Sequence, residues 1–208
     1  MQITIFGASG KVGSLVVEEA LRRGHTVIAF THSRDLFVPS NKMGVIKGDI
    51  HRAEDVQKAL KSSDAVISTL GSWHSKSKDI LSSAMKTIIP AMEAAGITRI
   101  VTLTGAGAFD EKDNPPAGQK IAHAVLGSFA GKILQDGEQH MRLLRASNLD
   151  WTVIRSPVMS SFGGEHYKLS SKLPKLFDLV PRKAVATALL DQLQSPEHVR
   201  DAPVIYRA

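Results

Sequence analysis

Three glycines spaced three apart, Gly7, Gly10 and Gly13 in FGASGKVG, are the first residues of the chain whose pattern suggests chemistry. They follow the apolar run QITIF at 2–6 and precede Val12, Leu15, Val16 and Ala20, which recur at helical spacing. A strand, a glycine turn and a helix within a βαβ unit of about 30 residues make a seat for a dinucleotide pyrophosphate. Gly7 permits the tight turn, Gly10 lets phosphate oxygens approach the backbone, and Gly13 lets the helix pack on the sheet. The amides at the helix N-terminus then face the negative charge. The spacing is G-x-x-G-x-x-G, not the G-x-G-x-x-G of ordinary dehydrogenases. Lys11 is followed by Val12, so no Walker A Lys-Ser/Thr pair is present.

The end of the second strand bears on which dinucleotide is held. A carboxylate there would bind the ribose 2′-hydroxyl and repel a 2′-phosphate. The strand runs out through Phe30, Thr31, His32, Ser33 and Arg34, and the first acid is Asp35. Arg34 offers a charge-assisted bond to a 2′-phosphate, with Ser33 and His32 as further donors. This favours NADP(H) over NAD(H), against the alternative that Arg34 is a solvated loop cation.

Catalytic side chains stand out less. Ser72, His74, His123 and His140 are candidate donors on the substrate side, each weighed against an ordinary structural role. The chain has no Cys, which excludes disulfides, thiolate catalysis and Cys-based metal sites. It has no H-E-x-x-H pair for a metal and no G-x-S-x-G elbow for a serine hydrolase.

The elements that must position these residues alternate. Strands are expected at 2–6, 26–31, 44–47, 64–70, 98–104 and 150–155, with a possible edge strand at 204–207. Helices are expected at 11–23, 53–61, 77–95, and 182–193, the first closed by Gly24 and the third by Gly96. A further helical region, interrupted by Gly127, Gly131 and Gly137, reaches about Ala146. Residues 105–119 and 156–180 read as long loops, rich in Gly and Pro. Such alternation implies an α/β fold, a doubly wound parallel sheet with helices on both faces, and one domain spanning 1–208. Ligands then sit outside the carboxyl ends of the strands.

Composition sets the outer bounds. With 43% hydrophobic and 22% charged residues, the chain is ordinary for a globular protein. No apolar run approaches the roughly 18 residues of a membrane span, and the N-terminus has no secretory pattern, so a cytoplasmic location is expected. The net charge of +6 suits an anionic ligand. The cations are scattered and aromatics are few, which disfavours nucleic acid as the main partner. Oligomeric state, monomer or dimer, is left open.

The segments FGASGKVG, KGDIHRAEDVQKAL, DAVISTLG, RIVTLTGAG and LLRASNLDWTVIRSP resemble the atypical short-chain dehydrogenase/reductases over nearly the whole chain. The best fit is the NAD(P)H-binding group of biliverdin reductase B-like flavin reductases and nitrogen-metabolite-repressor-like redox sensors. The resemblance implies a single NAD(P)-binding domain of Rossmann type. It places the pyrophosphate at Gly7, Ala8, Ser9, Gly10, Lys11, Val12 and Gly13. It places adenine against Asp49 and Ile50, and the adenosine side against Thr69, Leu70 and Gly71. Thr104, Gly105, Ala106, Pro157 and Val158 would approach the nicotinamide ribose. Asp49 has the alternative role of a turn residue, and Trp151 and Arg155 read as scaffold.

One departure matters. Most short-chain reductases use a Tyr-x-x-x-Lys pair to protonate a carbonyl oxygen, yet neither Tyr167 nor Tyr206 has Lys four residues on. Counting back from LLRAS, the Lys position falls near Gly137 and the Tyr position near Ile133. A shifted alignment offers Ser128-x-x-x-Lys132, without a phenol, and leaves Lys132 as a weak candidate. Hydride transfer to a flavin, quinone or similar planar small molecule asks less, because solvent can supply the proton. The expectation is an NAD(P)H-dependent reductase of this kind. The alternative is an NADP(H)-binding redox-sensing regulator with little or no turnover.

Overall fold

The computed structural model describes residues 1–32, 36–73, 75, 77–174 and 178–208, apart from the side chain of Ala122. The strand β1 (Gln2–Phe6) leads through the glycine turn into helix α1 (Gly13–Arg22), followed by β2 (Thr26–Thr31) and β3 (Met43–Lys47). Helix α2 (Ala53–Leu60), β4 (Ala65–Ser68), α3 (Ile80–Ala94) and β5 (Arg99–Gly105) continue the alternation. Helix α4 (Ala117–Ala146) returns the chain to β6 (Asp150–Ser156). The short strands β7 (Val158–Ser160), β8 (Tyr167–Ser170) and β9 (Leu179–Pro181) precede α5 (Arg182–Asp191) and β10 (Val204–Arg207).

The main sheet has eight strands in the order β3-β2-β1-β4-β5-β6-β10-β8. All neighbours pair in parallel except β8, which runs antiparallel to β10. The order reverses between β1 and β4, which opens a crevice at their carboxyl ends. Alternation along β1 explains the two layers. Ile3 and Ile5 point into a core with α1 and α5, built on Val16, Val17, Val185 and Leu189. Phe6 joins the opposite core with α2, α3 and α4, among Val56, Met85, Ile88 and Trp151. Thr4, on that second face, donates its hydroxyl to the carbonyl of Ala59 at 2.7 Å.

Helix α1 stops where expected. Gly24 has φ +85, and the amide of His25 donates back to Ala20 across the turn at 3.0 Å. Other boundaries differ from the sequence reading. Helix α4 spans 30 residues as two helices joined at a kink, where Ala130 is non-helical beside Gly131, so the expected interruption falls there and not at Gly137. The expected loop 156–180 holds three short strands, β7 and β9 paired in parallel and β8 on the main sheet. The tail strand β10 is not an edge, since it lies between β6 and β8. Strand β4 ends at Ser68 rather than Leu70, because Thr69 turns toward the glycine turn.

The segment after β5 is anchored from behind. Arg155, on β6, forms a bidentate pair with Asp113 through Nη1 and Nη2, and its Nε donates to the carbonyl of Ala202 at 2.7 Å. Their side chains are 2% and 5% exposed, so this is an interior ion pair and not a strand-end cation in solvent. Nη2 of Arg145 donates to both oxygens of Asp110, at 2.9 and 2.6 Å, while its guanidinium lies 5.4 Å from the centre of the buried Trp151 ring. Trp151 and Arg155 are thus scaffold residues, as read. Among the described residues, no helix is long and apolar enough to cross a membrane.

Candidate functional site

The glycine turn is built by contact. Gly7 has φ +77, a conformation that side chains disfavour, and a Cβ there would lie 2.9 Å from the amide nitrogen of Leu70. A Cβ on Gly13 would lie 2.2 Å from the carbonyl oxygen of Gly7 and 2.7 Å from Oγ1 of Thr69. Neither position admits a side chain. Thr69 holds the turn against β4 by sharing its hydroxyl proton between the carbonyls of Phe6 and Gly7, each at 3.1 Å. Gly10 differs: a Cβ there would meet only the Gly7 carbonyl oxygen, at 3.1 Å, and otherwise open space. Helix α1 has no side-chain cap at Val12 and no acid in its first turn. An open glycine before uncapped, acid-free helix amides fits a pyrophosphate, whose oxygens would take up those donors.

Because the strands are parallel, their carboxyl ends bring the other expected residues to the same edge. The amide of Ala106 donates to the carbonyl of Ser156 at 2.8 Å, tying the end of β5 to that of β6. Gly71, Gly105 and Val158 are exposed there, and Ser9, Leu70 and Pro157 are half-buried. The side chains of Ala8, Val12, Ile50 and Ala106 are buried, so a ligand would meet these residues through their backbone. Lys11 is exposed beside the turn. His32 is exposed at the end of β2, with Nδ1 3.4 Å from the carbonyl of Gly48. Ser33 and Arg34 lie outside the described residues. Asp49 accepts the amide of His51 at 3.0 Å and donates its own amide to Asp55 at 2.9 Å, so it has the turn-forming role weighed for it.

The candidate donors separate clearly. Ser72 is buried and donates its hydroxyl to Asp136, a carboxylate that is 3% exposed. Asp136 also accepts the amides of Leu81 at 3.0 Å and Ser82 at 2.8 Å. It therefore caps α3 from α4, where the helix's own preceding residue, Asp79, makes no cap bond. His140, one turn further along α4, is 1% exposed, and neither ring nitrogen has a hydrogen-bond partner among the described residues. Burial lowers its pKa to about 4, opposed by the charge of Asp136. His123 stacks on Phe109 with ring centres 4.2 Å apart, and its Nε2 lies 3.3 Å from Glu138. His74 lies outside the described residues. Lys132 is exposed and lines a cleft of about 540 Å³ between the start of α3 and α4, with Ser77, Lys78, Gln135 and Gln139.

Three features escaped the sequence reading. Asp136 caps a helix that begins more than fifty residues earlier, which no local pattern signals. Lys78 donates to the carbonyls of Ser72, Trp73 and Ser75 at 3.3, 3.3 and 2.9 Å, bracing the loop after β4. Gly137 packs so closely that a Cβ would lie 2.7 Å from both Oγ1 of Thr104 and Cβ of Ala108. A glycine in mid-helix was the available signal for that contact.

Two outcomes follow from this geometry. Gly10→Val should fold, because its side chain enters open space, yet lose nicotinamide dinucleotide binding by titration calorimetry; retained affinity would place the pyrophosphate elsewhere. His140 gives a pH signature. Its folded pKa near 4 lies below the ordinary 6.5, so its neutral form contributes stability in full above pH 6.5. That contribution is lost as pH falls toward 4, at up to about 1.4 kcal/mol per pH unit. His140→Leu should flatten the decline in denaturation free energy between pH 6.5 and 4.5. Glu19, held near 2 by Arg22 and Arg23, adds its own decline only below about 4.5. Parallel curves for both proteins would refute the assignment to His140.

A family model described as NAD(P)H-binding matches residues 7–196. The chain is 27% identical over 190 residues to isoflavone reductase homolog P3 of Arabidopsis thaliana, covering 86% of this chain and 53% of that protein. It thus spans about half the length of that relative. A short-chain dehydrogenase/reductase from Veillonella parvula, solved in complex with NADP, superposes with TM-score 0.79 at 21% identity, covering 99% of this chain and 94% of the other. ChuY, an anaerobilin reductase from Escherichia coli O157:H7, superposes with TM-score 0.77 at 22% identity, covering 100% and 97%. The match of the family model from the glycine turn through α5, on a doubly wound parallel sheet, makes this chain a member of the NAD(P)H-binding family.

Proposed function

We propose that the protein is an NAD(P)H-dependent reductase that passes hydride to a flavin, quinone or similar planar acceptor, with NADP(H) the preferred dinucleotide. The observation that carries this reading is the contact of Gly137 with Thr104. Gly137, near which the resemblance would put a catalytic Lys, lies against the end of β5 with no volume for a side chain. Carbonyl reduction needs a placed acid to protonate the developing alkoxide. A conjugated acceptor spreads the incoming charge over its own ring system and takes its proton from solvent, so the protein has chiefly to orient two rings.

The bound nicotinamide would supply the hydride. In this reading Gly7, Gly10 and Gly13 hold the pyrophosphate, Thr69 and Leu70 line the adenosine side, and Arg34 reads the 2′-phosphate. Thr104, Gly105, Ala106 and Pro157 approach the nicotinamide ribose, and the segments 105–119 and 156–180 wall the acceptor. The names of two relatives, an isoflavone reductase homolog and an anaerobilin reductase, support a reductase. The Veillonella complex supports NADP as ligand.

Titration with NADPH and NADH, followed by NADPH oxidation with FMN, riboflavin and quinones, tests the proposal. Turnover on at least one acceptor is expected. Tight binding with no turnover on any of them would overturn the reductase reading and favour a cofactor-sensing protein. Arg34→Glu should weaken NADPH by roughly tenfold or more while changing NADH little, the worth of one charge-assisted bond. Equal losses for both would show that Arg34 does not read the phosphate.

A further inference from the structure

The described aromatic side chains range from fully buried to largely exposed. Trp151, Phe6 and Phe30 are buried, whereas Trp73, Phe129 and Phe162 are 59%, 89% and 87% exposed. Those three lie on the segments that leave β4, β5 and β7. Phe129 precedes Gly137 by eight residues, and Gly137 touches Thr104 near the carboxyl end of β5. Phe129 lies on the far side of the α4 kink at Ala130 from that contact. Trp73 lies within about 11 Å of Leu70 by chain length, and its neighbour Ser72 is bonded to Asp136, beside the Gly137 that packs against Thr104, so the same loop is also held toward the end of β5.

Trp73 is also the best supported of the three. Its own carbonyl and those of Ser72 and Ser75 converge on the ammonium of Lys78. The hydroxyl of the preceding Ser72 is anchored on Asp136, which in turn is fixed by two amides of α3. Ser72 before it and Ser75 beyond it are thus tied down through their carbonyls, while Trp73 itself is 59% exposed.

We propose that Trp73 is the stacking face on which the planar acceptor is held beside the nicotinamide. This rests on the reductase reading of the site and adds the residue that selects for a flat conjugated ring. An indole offers an extended π surface with little conformational entropy to lose, and a ring stacked on an aromatic side chain gains a contact that tolerates changes in the ring's substituents. Flavins and quinones of different side chains would therefore share this platform.

The chain has two tryptophans, and Trp151 is fully buried, so Trp73 can be followed by its own fluorescence. The probe is riboflavin, added to the protein saturated with NADP⁺, with free N-acetyltryptophanamide as the inner-filter control. Saturable quenching is expected in the wild type and not in Trp73→Phe, whose remaining emission comes from Trp151. In NADPH oxidation, Trp73→Ala should raise KM for riboflavin roughly tenfold with a smaller change in kcat, and Trp73→Phe should recover most of that loss. Turnover with no Trp73 quenching and an unchanged KM would overturn the platform while leaving the reductase reading intact. Quenching without turnover on any acceptor would retain the platform and overturn the reductase reading. Trp73 emission that changes with protein concentration and not with riboflavin would show the residue covered by a second copy of the chain, against the proposal.

Discussion

The contact between Gly13 and the carbonyl of Gly7 is the constraint on which the rest of the site depends. A single methyl group at Gly13 would stand 2.2 Å from that oxygen, so α1 rests directly on the turn that leaves β1. Thr69 closes the same junction from β4 by donating to both Phe6 and Gly7. Three elements meet with only the Thr69 hydroxyl between them, at the point where strand order reverses. The first amides of α1 are left facing outward without a cap or an acid, and the crevice between β1 and β4 has a wall of backbone. A phosphate can approach such a wall closely because nothing projects from it.

A second set of contacts holds the loops that flank this crevice, and it is electrostatic. Asp136 joins the loop after β4, the start of α3 and the middle of α4 in one carboxylate. Arg155 with Asp113, and Arg145 with Asp110, hold the segment after β5 from the side away from solvent. Interior ion pairs of this kind contribute little net stability, because desolvation offsets most of the attraction. Their effect here is positional. Each fixes a strand-end loop by its base and leaves its outer surface for other contacts, which is how Trp73 comes to be both well anchored and exposed.

What was legible in the sequence was local. The βα alternation, the cap at Gly24 and the glycine turn each follow from a few adjacent residues, and the doubly wound sheet follows from their sum. What was not legible depends on distant partners. Arg155 reads as a strand-end cation until Asp113, 42 residues away, is found against it. Asp136 is an ordinary helical acid until α3 is packed beside it. Strands β7 and β9 are three residues each, too short to carry a period, and β10 lost its expected edge position because β8 covers it.

Gly137 links the fold to the chemistry. A helix that delivers a long side chain to a strand end must stand off from it by the length of that side chain. Here α4 approaches β5 until the backbone of Gly137 meets Thr104, and the same approach carries Asp136 to the start of α3 and buries His140 in neutral form. The polar groups of this part of α4 are thereby turned to structural work or held uncharged. Lys132, eight residues before His140, is exposed on the open cleft instead. A site made this way has backbone walls, and Gly137 brings no side chain to the strand end. Under the proposed reading, that combination suits a reaction in which geometry between two rings sets the rate and the proton comes from water.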